Sequence, residues 1–123
     1  KGGGHIKNLF LRDHKRNNIL IVAHQDALID LKNLQLKIGA GRLSFGSSNR
    51  LMEHLGVFPG AVTPFSMING VHKKVVLLMD LSLKNYKKIY MHPLVNDRTL
   101  EMTIENLEMF FKKINVIPHW IKL

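Results

Sequence analysis

An α+β domain is what this sequence predicts, with a mixed, largely antiparallel sheet and helices packed on it. Three observations point there. Short apolar runs of strand character alternate with segments whose apolar residues recur at helical spacing. Hairpin-like turns, rather than regular βαβ spacing, join the runs. The chain has 123 residues and is 46% hydrophobic, which is enough for one domain with a modest core.

In chain order, Asn8–Arg12 and Ile19–Ala23 read as two strands around a polar turn at Asp13–Asn18, an antiparallel hairpin. Leu28, Leu31, Leu34 and Ile38 fall at helical spacing, with Asp26 as N-cap and Gly39 as C-terminal stop. Arg42–Gly46 is a short strand. Ser47 or Ser48 caps a second helix, which turns Leu51, Met52 and Leu55 inward and ends at Gly56. A long loop then runs from Gly56 through Asn69, and Asn69-Gly70 signals a tight hairpin turn. Val75–Met79 is the most continuously apolar run and is expected as a central strand ended by Asp80. Ile89–Met91 and Leu100–Met102 are further strands. Thr103 caps a helix with Ile104, Leu107, Phe110, Phe111 and Ile114 on one face. Pro118–Ile121 closes the chain as an edge strand.

The composition excludes several functions. There is no cysteine, so thiol nucleophiles, disulfides and thiolate metal sites are all absent, which fits a reducing, cytoplasmic setting. No apolar run reaches the length of a membrane span. The sequence has no P-loop, nucleophile elbow, H-E-x-x-H or dinucleotide fingerprint. Its seven histidines lack the short spacings of zinc ligands, so neither metal nor cofactor is expected. The net charge of +9 favours a polyanionic partner, RNA above all, although scattered lysines also suit a solvated surface.

The stretch Gly60-Ala61-Val62-Thr63-Pro64 is the candidate site. Gly60 permits a positive φ or the close approach of a ligand. Pro64 locks its own φ and pushes Thr63 toward an extended conformation. Such a loop can aim successive backbone N–H groups into a cleft, and the same residues would also make a plain surface turn. His92, between a strand and Pro93, is held in position and suits a pocket wall, and equally suits a plain core or surface histidine. Lys7, at the entry to the first strand, suits a phosphate or is simply one of many solvated lysines.

Five segments resemble, in order, the prolyl-tRNA editing domains, the YbaK/ProX-type aminoacyl-tRNA deacylases. Lys7-Asn8-Leu9-Phe10-Leu11-Arg12-Asp13 resembles that family's K-N-L-F-L-x-D segment. Leu43-Ser44-Phe45-Gly46-Ser47 resembles L-S-F-A-S, with Gly46 in place of the usual alanine. Leu55-Gly56-Val57 and Pro59–Phe65 resemble L-G-V-x-P-G-x-V-T-P-F, which contains the G-x-x-x-P loop. Val76–Asp80 and His92–Asn96 match two further blocks. Lys7–Asp13, with Gly2-Gly3-Gly4 just upstream, is closer to the alanine-specific, synthetase-associated branch than to the cysteine-specific one. The family has a further segment before the lysine, so residues 1–123 are expected to be a single editing domain lacking its N-terminal part.

The resemblance implies hydrolysis of the ester of a mischarged tRNA for proline, with alanine as the misplaced amino acid. Lys7 and Gly60, Ala61, Val62, Thr63 and Pro64 would form the catalytic set. The backbone N–H groups of Gly60–Thr63 would stabilise the oxyanion, Pro64 having none. Lys7 would neutralise a phosphate or orient the terminal adenosine, supported by Asn8. Ser44, Phe45 and His92 would complete substrate binding. The implied partners are the tRNA acceptor end and prolyl-tRNA synthetase, with no membrane and no metal. A non-catalytic tRNA-binding or synthetase-associated module of the same fold is the other reading.

Overall fold

The computed structural model describes residues 3–91 and 99–123. Their strands are β1 (Gly3–Asp13), β2 (Asn18–His24), β3 (Leu43–Phe45), β4 (Val76–Asp80), β5 (Lys88–Met91), β6 (Leu100–Thr103) and β7 (His119–Ile121). The helices are α1 (Leu31–Ile38), α2 (Ser48–Leu55), α3 (Met67–Gly70) and α4 (Ile104–Lys113). The strands form one mixed seven-stranded sheet in the order β6-β5-β1-β2-β4-β7, with β3 paired to β1 off that path. The β1–β2, β1–β3 and β5–β6 pairs are antiparallel. The β1–β5, β2–β4 and β4–β7 pairs are parallel. β7 lies at an edge, and β4 lies inside the sheet, as their sequences predict.

Strand alternation sorts the side chains onto two faces. One face carries Ile6, Phe10, Leu20, Val22, Leu77 and Met79 beneath α2, α3 and α4, with Leu107 and Phe111 fully buried among them. Val57, Val62 and Phe65, from the chain after α2, pack against this same cluster. The other face carries Leu11, Ile19, Ile21, Ala23 and Leu78 beneath α1, which contributes Leu34.

Local chemistry explains most element ends. Asp13 closes the β1–β2 turn by accepting from the backbone N–H groups of Lys15 and Asn17 and from the Asn17 carboxamide. Ser47 caps α2 through the Arg50 N–H, and Gly56 ends it in the left-handed region at φ 71°. Thr103 caps α4 through the Asn106 N–H.

Four details differ from the sequence reading. β1 begins five residues earlier than Asn8, because Gly3–His5 pair with Lys88–Tyr90 and the Tyr86 ring lies over Gly4, where a Cβ would come within 2.9 Å. The N-cap of α1 is Asp30, not Asp26, since Asp30 accepts from the Lys32 N–H; Leu28 precedes the helix and is exposed. Met52 points outward, at 51% exposure, while Leu51 and Leu55 are buried. Asn69-Gly70 is helical and makes no hairpin. The Asn69 carboxamide instead donates to the Leu55 carbonyl, tying α3 to the end of α2. Gly70 permits close packing there, for a Cβ would meet Leu55 Cδ2 at 2.8 Å.

Candidate active site

The loop between α2 and α3 is built by two successive turns. Phe58-Pro59-Gly60-Ala61 is a type II turn: Ala61 N–H donates to the Phe58 carbonyl at 3.0 Å, Pro59 takes the second position, and Gly60 has φ 90°. Thr63 then starts a 3₁₀ turn over Pro64–Ser66, accepting from the Phe65 N–H while its own N–H donates to Ser66 Oγ at 3.2 Å. Val62 anchors the stretch between them against the larger core cluster.

This arrangement divides the loop's donors. The N–H groups of Ala61 and Thr63 are spent inside the loop. Those of Gly60 and Val62 make no hydrogen bond among the described residues. They are two alternate backbone donors, with a turn on one side and a capped 3₁₀ turn on the other.

β1 supplies the neighbouring side chains, and alternation decides which. Asn8 shares a face with Ile6 and Phe10, the face on which the loop packs. Its Oδ1 is buried with no hydrogen-bond partner. Lys7 is paired with Ala23 and lies on the opposite face, where its ammonium donates to the Ala27 carbonyl at 2.6 Å. The structure therefore brings Asn8, not Lys7, to the loop's side of the sheet. Lys7 stands instead near a cleft of about 410 Å³ at the carboxyl ends of β2 and β4, which Ala27 lines with His24, Asp80, Ser82 and Tyr86. The His24 and Tyr86 rings stack there, with centroids 5.5 Å apart.

Ser44 and Phe45 belong to β3. Ser44 pairs with Arg12, and Phe45, 62% exposed, pairs with Leu11. His92 lies outside the described residues. Sequence reasoning passed over His54 on α2, whose ring sits 6.5 Å from that of Phe10 and whose Nδ1 is buried without a partner. Only the helix phase of α2 could have marked it, since Phe10 becomes its neighbour through the fold. Among the described residues no group of His, Asp or Glu is placed to hold a metal ion. No helix among them is long and apolar enough to cross a membrane.

Comparison with known proteins decides the family. The model of the aminoacyl-tRNA editing domain matches residues 2–110. The chain belongs to the aminoacyl-tRNA editing domain family. It is 43% identical over 108 residues to the prolyl-tRNA editing protein ProX of Acetoanaerobium sticklandii, a match covering 87% of this chain and 66% of that protein. It is 34% identical over 121 residues to the prolyl-tRNA synthetase associated domain-containing protein 1 of Xenopus laevis, covering 95% and 72%. The chain thus spans just under two thirds of the ProX relative's length. A solved structure described as a candidate trans-editing enzyme for prolyl tRNA synthetase superposes with a TM-score of 0.71 at 19% identity, covering 100% of this chain and 73% of the other. That likeness establishes the editing-domain fold.

Proposed function

We propose that this editing domain hydrolyses the ester of mischarged tRNA for proline, with alanine as the preferred misplaced amino acid. The observation that carries the reading is the Gly60–Pro64 loop, whose Gly60 and Val62 N–H groups remain unspent and whose Val62 packs on the sheet face that also carries the buried, unpartnered Asn8 oxygen. Water attacks the ester carbonyl carbon, and the two N–H groups stabilise the oxyanion that forms. Collapse breaks the bond to the ribose oxygen, which takes a proton. The products are the free amino acid and the tRNA terminal hydroxyl. An aminoacyl ester is already activated, so positioning a water suffices without a side-chain nucleophile. Asn8 orients the substrate on the loop's face of the sheet. Size supplies the selectivity: a pocket too small for proline rejects it, whereas discrimination among small side chains is worth only about 1–3 kcal/mol.

A second reading is a tRNA-binding module of the same fold without turnover. The position of the Lys7 ammonium, on the opposite face from the loop and engaged by Ala27, supports it. Lys7 serves the reaction only by leaving that carbonyl for a substrate phosphate.

The deciding experiment is deacylation of alanyl-, cysteinyl- and prolyl-tRNA carrying the same tRNA for proline. Selective loss of alanine is expected. Selective loss of cysteine would replace the alanine assignment, and binding of all three without hydrolysis would establish the second reading.

A further inference from the structure

At the far end of β1 from Lys7, strand register gathers a second set of cations. Arg12 pairs with Asn18 of β2 on one side and with Ser44 of β3 on the other. Arg12, Asn18 and Ser44 therefore share the face that α2 covers. Arg12, His14, Arg42 and Ser44, with Asp13, line a cleft of about 410 Å³. The His14 ring lies directly over Gly41, where a Cβ would collide with it. Arg50 of α2 reaches the same corner and donates to Asn18 Oδ1 at 2.6 Å, while its Nε is buried with no partner.

The corner offers donors almost exclusively. Among the described residues none of Arg12, Arg42 and Arg50 forms an ion pair with a carboxylate. Arg12 and Arg42 are exposed. Asp13, the acid in the lining, is buried and turned into its own turn, accepting from Lys15 and twice from Asn17. An exposed guanidinium fork without an acid matches an oxygen-rich anion, and two lining one cleft match neighbouring phosphates.

We propose that this corner binds the phosphodiester backbone of RNA, with Arg12 and Arg42 as the contacts to phosphate and the Ser44 hydroxyl as an added donor. The choice of RNA rests on the editing reading and on the chain's charge of +9, and the phosphates held are those of the tRNA acceptor arm. Arg50, fixed by Asn18, sets the rear wall. The corner works by position, holding the duplex while the terminal ester reaches the loop.

The test is fluorescence anisotropy with an uncharged acceptor-stem minihelix across a salt series, for the chain as it stands and for Arg12→Gln/Arg42→Gln. Both side chains are exposed, so the double variant is expected to keep the wild-type circular dichroism and melting temperature. Its plot of log affinity against log salt should be shallower by about 1 to 2, and its affinity in about 0.1 M salt at least tenfold weaker. Hydrolysis of an aminoacyl-adenosine, which has no duplex, should be unchanged. Affinity and slope equal to wild type would overturn the proposal, as would absence of minihelix binding by the wild type or displacement of the minihelix by an equal concentration of an acidic peptide. The binding readout does not depend on turnover. A wild-type chain that binds the minihelix through these arginines yet cleaves no ester would overturn the catalytic reading and support this one.

Discussion

Asn8 keeps a carboxamide oxygen buried without a donor, and an unmet polar atom of that kind costs about 1–3 kcal/mol. A substrate donor arriving at that oxygen would recover the cost, and this separates a binding role from a packing one. Asn8→Ala should leave the melting temperature unchanged or raise it, while lowering deacylation at least tenfold; a lowered melting temperature with undiminished turnover would make Asn8 structural. Gly60→Val acts differently. At φ 90° a β-branched side chain is strained, and the turn that frees the Gly60 and Val62 N–H groups would rearrange. Turnover is expected to vanish while the circular dichroism spectrum persists, and near-normal rates would remove the loop from the mechanism. Asp13 makes a pH prediction. Burial pushes its pKa up, but hydrogen bonds from Asn17 and Lys15 and the charge of His14 outweigh this and hold the carboxyl below the ordinary carboxylate range. Its contribution to stability is therefore complete above the unfolded value of about 3.9 and is lost as pH falls through the folded pKa. Urea unfolding at pH 5 and pH 3 should show a smaller difference for Asp13→Asn than for the natural chain.

Among the elements, α2 and α3 set the two ends of the loop. α2 is legible in the sequence because both its ends carry local signals, Ser47 and Gly56. α3 is not, because Asn69-Gly70 is the strongest short hairpin signal when read locally, and the Leu55 partner of both residues becomes a neighbour only once α2 has docked. Asn69→Ala leaves the Leu55 carbonyl without its donor and should destabilise the domain by about 1 kcal/mol in chemical unfolding. An unchanged midpoint would mean that water replaces the carboxamide and that α3 does not brace the loop. β1 teaches the same lesson. Its apolar middle is evident from alternation, whereas its first residues are held by β5, more than eighty positions away.

At the scale of the whole molecule the sheet has unequal faces. The face under α2, α3 and α4 holds most of the buried apolar side chains, and the face under α1 holds a smaller cluster anchored by Leu34. Phe111 is fully buried in the larger one. Phe111→Ala should cost about 3–5 kcal/mol, read from the denaturant midpoint. A loss under 1 kcal/mol would show that α4 is peripheral to the core. Charge acts at this scale as well, since +9 spread over 123 residues gives a long-range attraction to polyanions, and the proposed RNA site places Arg12 and Arg42 at one corner of that field.

By itself the sequence determined the class of fold, most strand and helix centres, the caps at Ser47 and Thr103, and the family, through five ordered segments and an intact Gly60–Pro64 loop. These are local properties of period, turn chemistry and motif, and they survive being read one stretch at a time. The tertiary structure alone decided which side chains meet. Lys7 and Asn8 are adjacent in the K-N-L-F-L-x-D segment and the period of two separates them, but which of them meets α1's face and which the loop's follows from where the helices and the loop dock. Arg12, Arg42 and Arg50 look unrelated along the chain, yet β1–β3 register and the docking of α2 make them one corner. Register and docking depend on contacts between distant residues, which no local pattern records.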